Sequence, residues 1–193
     1  SFNKALELRK NIKCAGLING PISKKTFLKG KYNGITEYLG KKTDVKDTVM
    51  LIYNQKLSVS PLTTHIPISK VSKKIKKKTI ISKIKKIDAF YQKVLKKKPN
   101  IAITGLNPHC ESIDRFNEDQ KILKPAIKYL TKLKYKISGP FPADTIFLKN
   151  NRENFDVKIG MYHDQVLTPI KTLYEDDAIN ITLGLPFIRV SPD

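Results

Sequence analysis

Three histidines are the residues of this sequence best suited to metal chemistry. The chain contains only three, His65, His109 and His163, and each closes a short apolar or β-prone stretch where a strand would hand over to a loop. Neutral imidazoles from separate segments can converge on one divalent metal and leave coordination positions open for a substrate. No local ligand motif such as HExxH is present, so three unrelated histidines, one buried and two on the surface, are the alternative.

The composition is that of a globular chain rather than a membrane protein. Apolar residues make up 40% of the chain and aromatic residues 8%, which is ordinary for a globular protein. No apolar run approaches the ~20 residues that cross a bilayer, so we expect no membrane partner. Cys14 and Cys110 cannot form a disulfide framework, which favours a reducing compartment and a cytoplasmic location.

The net charge of +20 raises the possibility of a nucleic-acid partner. Most of the excess lies between Lys70 and Lys98, where apolar residues recur at nearly helical spacing. That pattern predicts an amphipathic helix, broken near Thr79, with lysines on its solvated face. The run lacks arginines, and its two aromatic residues, Phe90 and Tyr91, stand side by side rather than interleaved with the lysines, which argues against nucleic-acid binding. A basic nucleic-acid-binding module remains the alternative from another functional class.

Strands alternate with helices along the chain, which predicts an α/β sheet. The predicted strands are 12–22, 49–53, 57–64, 101–106, 136–144, 157–162 and 178–185, the last in the chain. The predicted helices are 2–10, one that begins near 36 with Thr36 as its N-cap, the basic segment 70–98, and 117–133 with a kink at Pro125. Candidate functional residues follow the strands, where open α/β folds bind ligands.

Four long motifs, in this order, carry a family resemblance. They are Gly105-Leu-Asn-Pro-His109, Gly139-Pro-Phe-Pro-Ala-Asp-Thr145, Met161-Tyr-His-Asp-Gln165 and Asn180-Ile-Thr-Leu-Gly-Leu-Pro-Phe-Ile-Arg189. Together they resemble the 4-hydroxythreonine-4-phosphate dehydrogenases, the PdxA-type enzymes of vitamin B6 synthesis. The segments 18–24 and 62–67 fit the same family. The resemblance implies a three-layer α/β/α fold like that of isocitrate and isopropylmalate dehydrogenases. It also implies that residues 1–193 are the central and C-central part of one catalytic unit, truncated at both ends, with two subdomains sharing a cleft.

The resemblance also implies a set of site residues. His65, His109 and His163 stand in the contexts of the family's metal ligands. Asp144 and Asp164 match acidic residues beside the metal, which orient a ligand or relay a proton. The positions that match the family's substrate contacts are Thr36, Lys171, Asn180 and Arg189.

The implied reaction is an NAD-dependent oxidation of a CH–OH group. The family uses NAD (or NADP) and one divalent metal, zinc, magnesium or cobalt. It oxidises 4-phosphooxy-L-threonine to 2-amino-3-oxo-4-phosphooxybutyrate, which decarboxylates to 3-amino-2-oxopropyl phosphate. Its members are homodimers with a shared active site. No GxGxxG motif follows a strand in this chain, and no residue is assigned to the cofactor.

Two departures from the family pattern leave the identity of the substrate undecided. Ile35 replaces the usual histidine before Thr36, and it cannot donate a hydrogen bond to a substrate. The segment 110–116 contains no glycine where the family has a glycine-rich run. A sibling dehydrogenase for threonate or erythronate 4-phosphate is therefore an alternative, as is an inactive paralogue.

Overall fold

The computed structural model describes residues 2–11, 16–20, 22–28, 32, 34–45, 47–113 and 116–192. The chain forms two compact units, Ser1–Tyr38 and Leu39–Asp193. The helices are α1 Phe2–Asn11, α2 Lys24–Phe27, α3 Ile35–Lys42, α4 Val71–Lys74, α5 Lys77–Val94, α6 Lys124–Lys132, α7 Lys149–Arg152 and α8 His163–Tyr174. The strands are β1 Val49–Tyr53, β2 Ser58–Pro61, β3 Ile101–Thr104, β4 Ile137–Phe141, β5 Val157–Gly160, β6 Ile179–Leu183 and β7 Arg189–Pro192.

The N-terminal unit contains α1, α2 and the start of α3. Its aromatic rings pack edge to face, with centroids 5.2 Å apart for Phe27 and Tyr38. The strand predicted over 12–22 is wrong over its described part, because residues 16–20 are exposed and irregular. Residues 12–15 and 21 lie outside the described residues. Thr36 is not the N-cap of α3, since the helix already begins at Ile35.

The C-terminal unit is built on one seven-stranded sheet with the order β4-β3-β5-β2-β1-β6-β7. The strands β4, β3, β5 and β2 are parallel to one another, and we call them the parallel half. The strands β1, β6 and β7, the antiparallel half, continue the sheet with alternating direction. The carboxyl ends of the parallel strands therefore meet at one edge, which we call the carboxyl edge.

Helices cover both faces of this sheet, which confirms the predicted three-layer α/β arrangement. One buried cluster joins Leu51, Ile103 and Ile159 to apolar residues of α5 and α6. The other joins the opposite side of the strands to α8, through residues such as Val166 and Ile170. Because both faces are covered, β2, β3 and β5 are buried at every position, as parallel strands usually are.

Two lysines are buried: Lys158 in β5, and Lys83 in the basic segment whose lysines were predicted to be solvated. Lys158 is fully buried in β5, and its Nζ donates to the carbonyls of Arg152 (2.7 Å) and Phe155 (3.0 Å). Lys83 in α5 is buried as well and donates to the carbonyl of Pro61, at the end of β2. Desolvation by burial lowers the pKa of each ammonium to about 8.

Three details of the sequence prediction need correction. The basic segment does break, but at 75–76, between α4 and α5, rather than near Thr79. The strand 178–185 is not the last, because β7 follows it and pairs antiparallel with β6. Several strands are also shorter than predicted, since the ladder stops before the loop that each motif enters; β3, for example, ends at Thr104.

Candidate active site

The carboxyl edge gathers the three histidines. His65, His109 and His163 follow β2, β3 and β5, and β5 lies between the other two strands in the sheet. Each histidine lies three to five residues beyond the end of its strand. His65 and His109 are exposed and His163 is half-buried. The topology therefore places all three imidazoles at one edge, on neighbouring strands.

His65 and His163 are neighbours because the β2–β5 ladder continues past the strand ends. The backbone N–H of Leu62 donates to the carbonyl of Gly160 at 2.6 Å. The next residue, Thr63, donates from both its N–H (3.2 Å) and its Oγ1 (2.7 Å) to the carbonyl of Met161. Thr63 and Met161 each precede a histidine by two residues, and the two imidazole centroids lie 5.9 Å apart.

The turn that carries His109 has an unusual backbone. His109 and Cys110 have φ values of 55° and 61°, a left-handed conformation that non-glycine residues rarely adopt. Such a turn persists only where its surroundings hold it in place. Asp119, fully buried, accepts from the N–H groups of Leu106 (2.7 Å) and Asn107 (3.1 Å) and from Asn107 Nδ2 (2.9 Å). The Asp119 carboxylate thus holds the backbone of residues 106–107, which leads into the turn that carries His109.

Asp164 and Asp144 differ in what they contact. Asp164 lies beside His163, with Oδ1 2.7 Å from the ring Nδ1, and its side chain is 78% exposed. An Nδ1–H bonded to a carboxylate leaves Nε2 as the nitrogen available to a metal. Asp144 lies in an exposed turn shortly after β4, also beyond the carboxyl edge.

Two of the predicted substrate residues lie in the antiparallel half. Asn180 is opposite Ile52 in the ladder, and Ile52 belongs to the buried cluster under α8, so Asn180 points to that face. Its Oδ1 is buried and has no hydrogen-bond partner among the described residues. Arg189 opens β7 opposite Thr182, with Nη1 3.2 Å from Thr182 Oγ1 and 3.3 Å from Ser191 Oγ. Directly opposed residues share a face, so Arg189 lies on the same side of the sheet as Thr182. Asn180 precedes Thr182 by two residues in β6 and therefore lies on that side as well.

The remaining two substrate residues occupy helices. Lys171 is exposed in α8, about two turns after His163. Thr36 lies in the first turn of α3, within the N-terminal unit. The roles of both residues stay predictions.

The described residues of the chain do not assemble a three-histidine metal site. Over the described ranges, no group of three or more His, Cys, Asp or Glu side chains is arranged to hold a metal ion. The structure thus pairs His65 with His163, and the place of His109 as a third ligand stays a prediction. In the same described ranges, no helix is both long and apolar enough to span a membrane.

Two polar residues that support the site were not predicted from the sequence. Asp119 opens the helical turn Asp119–Leu123 that precedes α6, and its N–H donates to Asn117 Oδ1 at 2.9 Å. That local pattern gave no indication of the bonds from the Asp119 carboxylate to residues 106 and 107. Gln165 is the last residue of the motif Met161-Tyr-His-Asp-Gln165. Its role depends on a bond to Gly105, just beyond the end of β3 and 60 residues away, which a local pattern does not show.

The segment after His109 departs from the family pattern and has two distinct parts. Cys110 is buried, and desolvation followed by the nearby Asp119 carboxylate raises the pKa of its thiol. Ile113 and Phe116 are instead largely exposed. Residues 114 and 115, between them, lie outside the described residues.

Comparison with known proteins gives a consistent family. The family model for the pyridoxal phosphate biosynthetic protein PdxA matches residues 1–193. A 4-hydroxythreonine-4-phosphate dehydrogenase of Sulfurihydrogenibium is 44% identical over 185 residues, 94% of this chain and 57% of that relative. A D-threonate 4-phosphate dehydrogenase of Pectobacterium atrosepticum is 36% identical over 163 residues, 84% of this chain and 50% of that relative.

A solved structure agrees in fold as well as in sequence. The crystal structure of 4-hydroxythreonine-4-phosphate dehydrogenase from Klebsiella pneumoniae has a TM-score of 0.84 and 34% identity, covering 99% of this chain and 59% of that one. The chain spans about three fifths of the length of the proteins that it matches. Because the family model matches residues 1–193, the whole of this chain, the chain belongs to the PdxA family.

Proposed function

We propose that the protein containing this chain is an NAD-dependent oxidoreductase that acts on a secondary alcohol. Its substrate would be 4-phosphooxy-L-threonine, oxidised to 2-amino-3-oxo-4-phosphooxybutyrate, which decarboxylates to 3-amino-2-oxopropyl phosphate for pyridoxal phosphate synthesis. The observation that carries the proposal is the pair of imidazoles, His65 and His163, at the carboxyl edge of a PdxA-family sheet.

The donor set fits a divalent metal. His65 and His163 would supply two nitrogens and His109 the third. Imidazole nitrogens suit zinc or cobalt better than magnesium, which prefers oxygen ligands. A bound metal would act as a Lewis acid toward the substrate hydroxyl. Bound NAD or NADP would accept the hydride.

The chain's own residues would orient the substrate. Arg189, half-buried at the carboxyl edge, offers a fixed cation to a phosphate or carboxylate. Asn180 offers a buried oxygen that can accept from a substrate amine or hydroxyl. Lys171 and Thr36 would add further polar contacts. Asp164 would hold the His163 ring, and Asp164 or Asp144 would relay the hydroxyl proton.

A shared active site in a homodimer is part of this proposal. It is supported by the family resemblance, which implies homodimers with a shared active site. The two-subdomain organisation and the cytoplasmic location remain predictions.

A second candidate substrate is threonate or erythronate 4-phosphate. Ile35, in place of the family's usual histidine, changes a substrate contact that the resemblance implies. A relative named as a D-threonate 4-phosphate dehydrogenase matches 84% of this chain. Threonate 4-phosphate carries a hydroxyl where 4-phosphooxy-L-threonine carries an amine, so NADH formation with each acid decides between them.

The metal proposal is tested with His163→Ala in the intact protein. We expect cobalt affinity, measured by calorimetry, to fall by more than the about 10- to 100-fold typical when only a supporting residue is lost. Gln55→Ala, an exposed change in the β1–β2 turn, is the matched control and should bind cobalt normally. Unchanged metal binding by His163→Ala would exclude the site and leave the basic-module or inactive-paralogue alternatives.

A further inference from the structure

Gln165 connects the two segments that carry His163 and His109. The side chain is buried in the first turn of α8. Its Oε1 accepts from the backbone N–H of Met161 at 2.6 Å and from Thr104 Oγ1 at 2.8 Å. Its Nε2 donates to the carbonyl of Gly105 at 2.8 Å. One amide therefore bonds to the ends of β5 and β3 and belongs itself to α8.

These bonds lie directly before the histidines. Met161 precedes His163 by two residues, and Gly105 precedes His109 by four. A neutral amide is the side chain that presents an acceptor and an N–H donor at one terminus. A carboxylate in the same place would keep the acceptors and lose the donor to Gly105.

Close packing leaves little room for the connected segments to move. A Cβ built on Gly105 would lie 2.7 Å from Cys110 Sγ and 3.0 Å from Asp119 Oδ1. A Cβ on Gly160 would lie 2.4 Å from Val166 Cγ1 and 3.3 Å from Gln165 Oε1. Both distances to carbon and sulfur are shorter than real Cβ contacts, so a side chain at either position would displace Cys110 or Val166. A displacement of the Gln165 amide would therefore move the backbone at Met161 and at Gly105.

We infer that Gln165 is a positioning residue, which fixes His163 relative to the segment that carries His109. The inference rests on the proposed metal-dependent function. It assigns to the last residue of the Met-Tyr-His-Asp-Gln motif a role in metal geometry, through hydrogen bonds rather than ligation.

The test compares two amide-to-carboxylate changes in the intact protein. Gln165→Glu removes the donor to Gly105. Asn54→Asp is the matched control, because Asn54 is also buried and bonds to the Lys56 N–H (2.8 Å) and to Asp177, at the opposite edge of the sheet. Both variants should lower the melting temperature. Only Gln165→Glu should also weaken cobalt binding, by about 10- to 100-fold, and change the visible spectrum of bound cobalt.

Thr104→Val is a milder second variant. It removes one hydrogen bond to Gln165 and keeps the shape of a fully buried side chain. We expect a several-fold loss of cobalt affinity, and this variant decides the matter if Gln165→Glu does not fold.

The outcomes separate this inference from the proposed function. Wild-type cobalt affinity and spectrum in a folded Gln165→Glu or Thr104→Val protein would mean that Gln165 only stabilises the fold. Failure of the wild-type protein to bind cobalt, or normal binding by His163→Ala, would overturn the metal site and the positioning role together.

Discussion

The two halves of the sheet differ in how they hold their candidate functional residues. In the parallel half, β2, β3 and β5 are buried at every position and deliver the histidines from neighbouring strand ends. In the antiparallel half, β7 alternates between half-buried and exposed residues, and the first residue of β6 is exposed. The difference follows from position in the sheet, since β2, β3 and β5 are interior strands with helices on both faces, whereas β7 is an edge strand. The other edge strand, β4, is likewise half-buried at four of its five positions.

This contrast suggests a division of labour. Metal ligands need fixed relative positions, and backbone bonds of the parallel half, such as that from the Thr63 N–H to the Met161 carbonyl, would hold the two candidate histidines in place. Arg189 and Asn180, the proposed substrate contacts, come from the antiparallel half, and Asn180 Oδ1 has no hydrogen-bond partner among the described residues. The halves should therefore respond differently to substitution.

The largest difference is expected in stability. Ile159→Ala in β5 removes a fully buried side chain and should lower the free energy of unfolding by about 2–5 kcal/mol. Val190→Ala in β7, where the valine is 53% exposed, should cost less than about 1 kcal/mol. Urea unfolding measures both. Similar losses for the two variants would contradict the contrast between the halves.

The next effect separates the halves by function. Arg189→Gln removes a cation from the antiparallel half and should raise KM for the phosphorylated substrate by about 10- to 100-fold, the loss of one charged hydrogen-bonded contact. Cobalt affinity should stay unchanged. Arg189→Lys keeps the charge without the bidentate geometry and should be intermediate. A loss of cobalt binding in Arg189→Gln would show that the two functions are not divided in this way.

A smaller, pH-dependent effect belongs to the buried lysine of the parallel half. Burial lowers the pKa of Lys158 to about 8, so between pH 8 and 10 the unfolded chain binds more protons than the folded one. The free energy of unfolding should therefore rise with pH in that window, by up to about 1 kcal/mol per unit. Lys83 acts in the same direction.

Lys158→Met should remove roughly half of this rise, measured as urea midpoints from pH 7.5 to 10. The exposed Lys77→Met is the matched control and should leave the slope unchanged. The range stops at pH 10 because burial raises the pKa of Tyr91, which opposes the effect above it. An unaltered slope in Lys158→Met would show that its ammonium is not the source.

The sequence predicted most of the parallel half and less of the antiparallel half. A continuous apolar run marks β3, and β5 has apolar residues at Val157 and Ile159 around Lys158; each strand ends where a motif begins. β7 was missed because Arg-Val-Ser-Pro has no apolar run and ends in proline, a pattern tolerated at a sheet edge. Periodicity does not give strand order, so the pairing of His65 with His163 required the structure.

The supporting contacts were beyond sequence reasoning for a different reason. Asp119 and Gln165 act through hydrogen bonds to backbone groups. Every residue except proline has the same backbone groups, so the sequence does not indicate which of them a side chain will contact. The cap predicted for Thr36 was wrong because helix boundaries shift by one or two residues without a change in pattern. The motif match predicted the candidate site residues; it did not predict what holds them.

The bond between Thr63 and Met161 also has a consequence for folding kinetics. It joins residues 98 positions apart in the chain, and the β2–β5 ladder that it extends is equally non-local. Contacts of such high order form late, because the closure of the long intervening loop must precede them. His65 and His163 therefore come together only once β2 and β5 have paired. The candidate metal pair is a product of global folding, and no local segment of the chain could assemble it early.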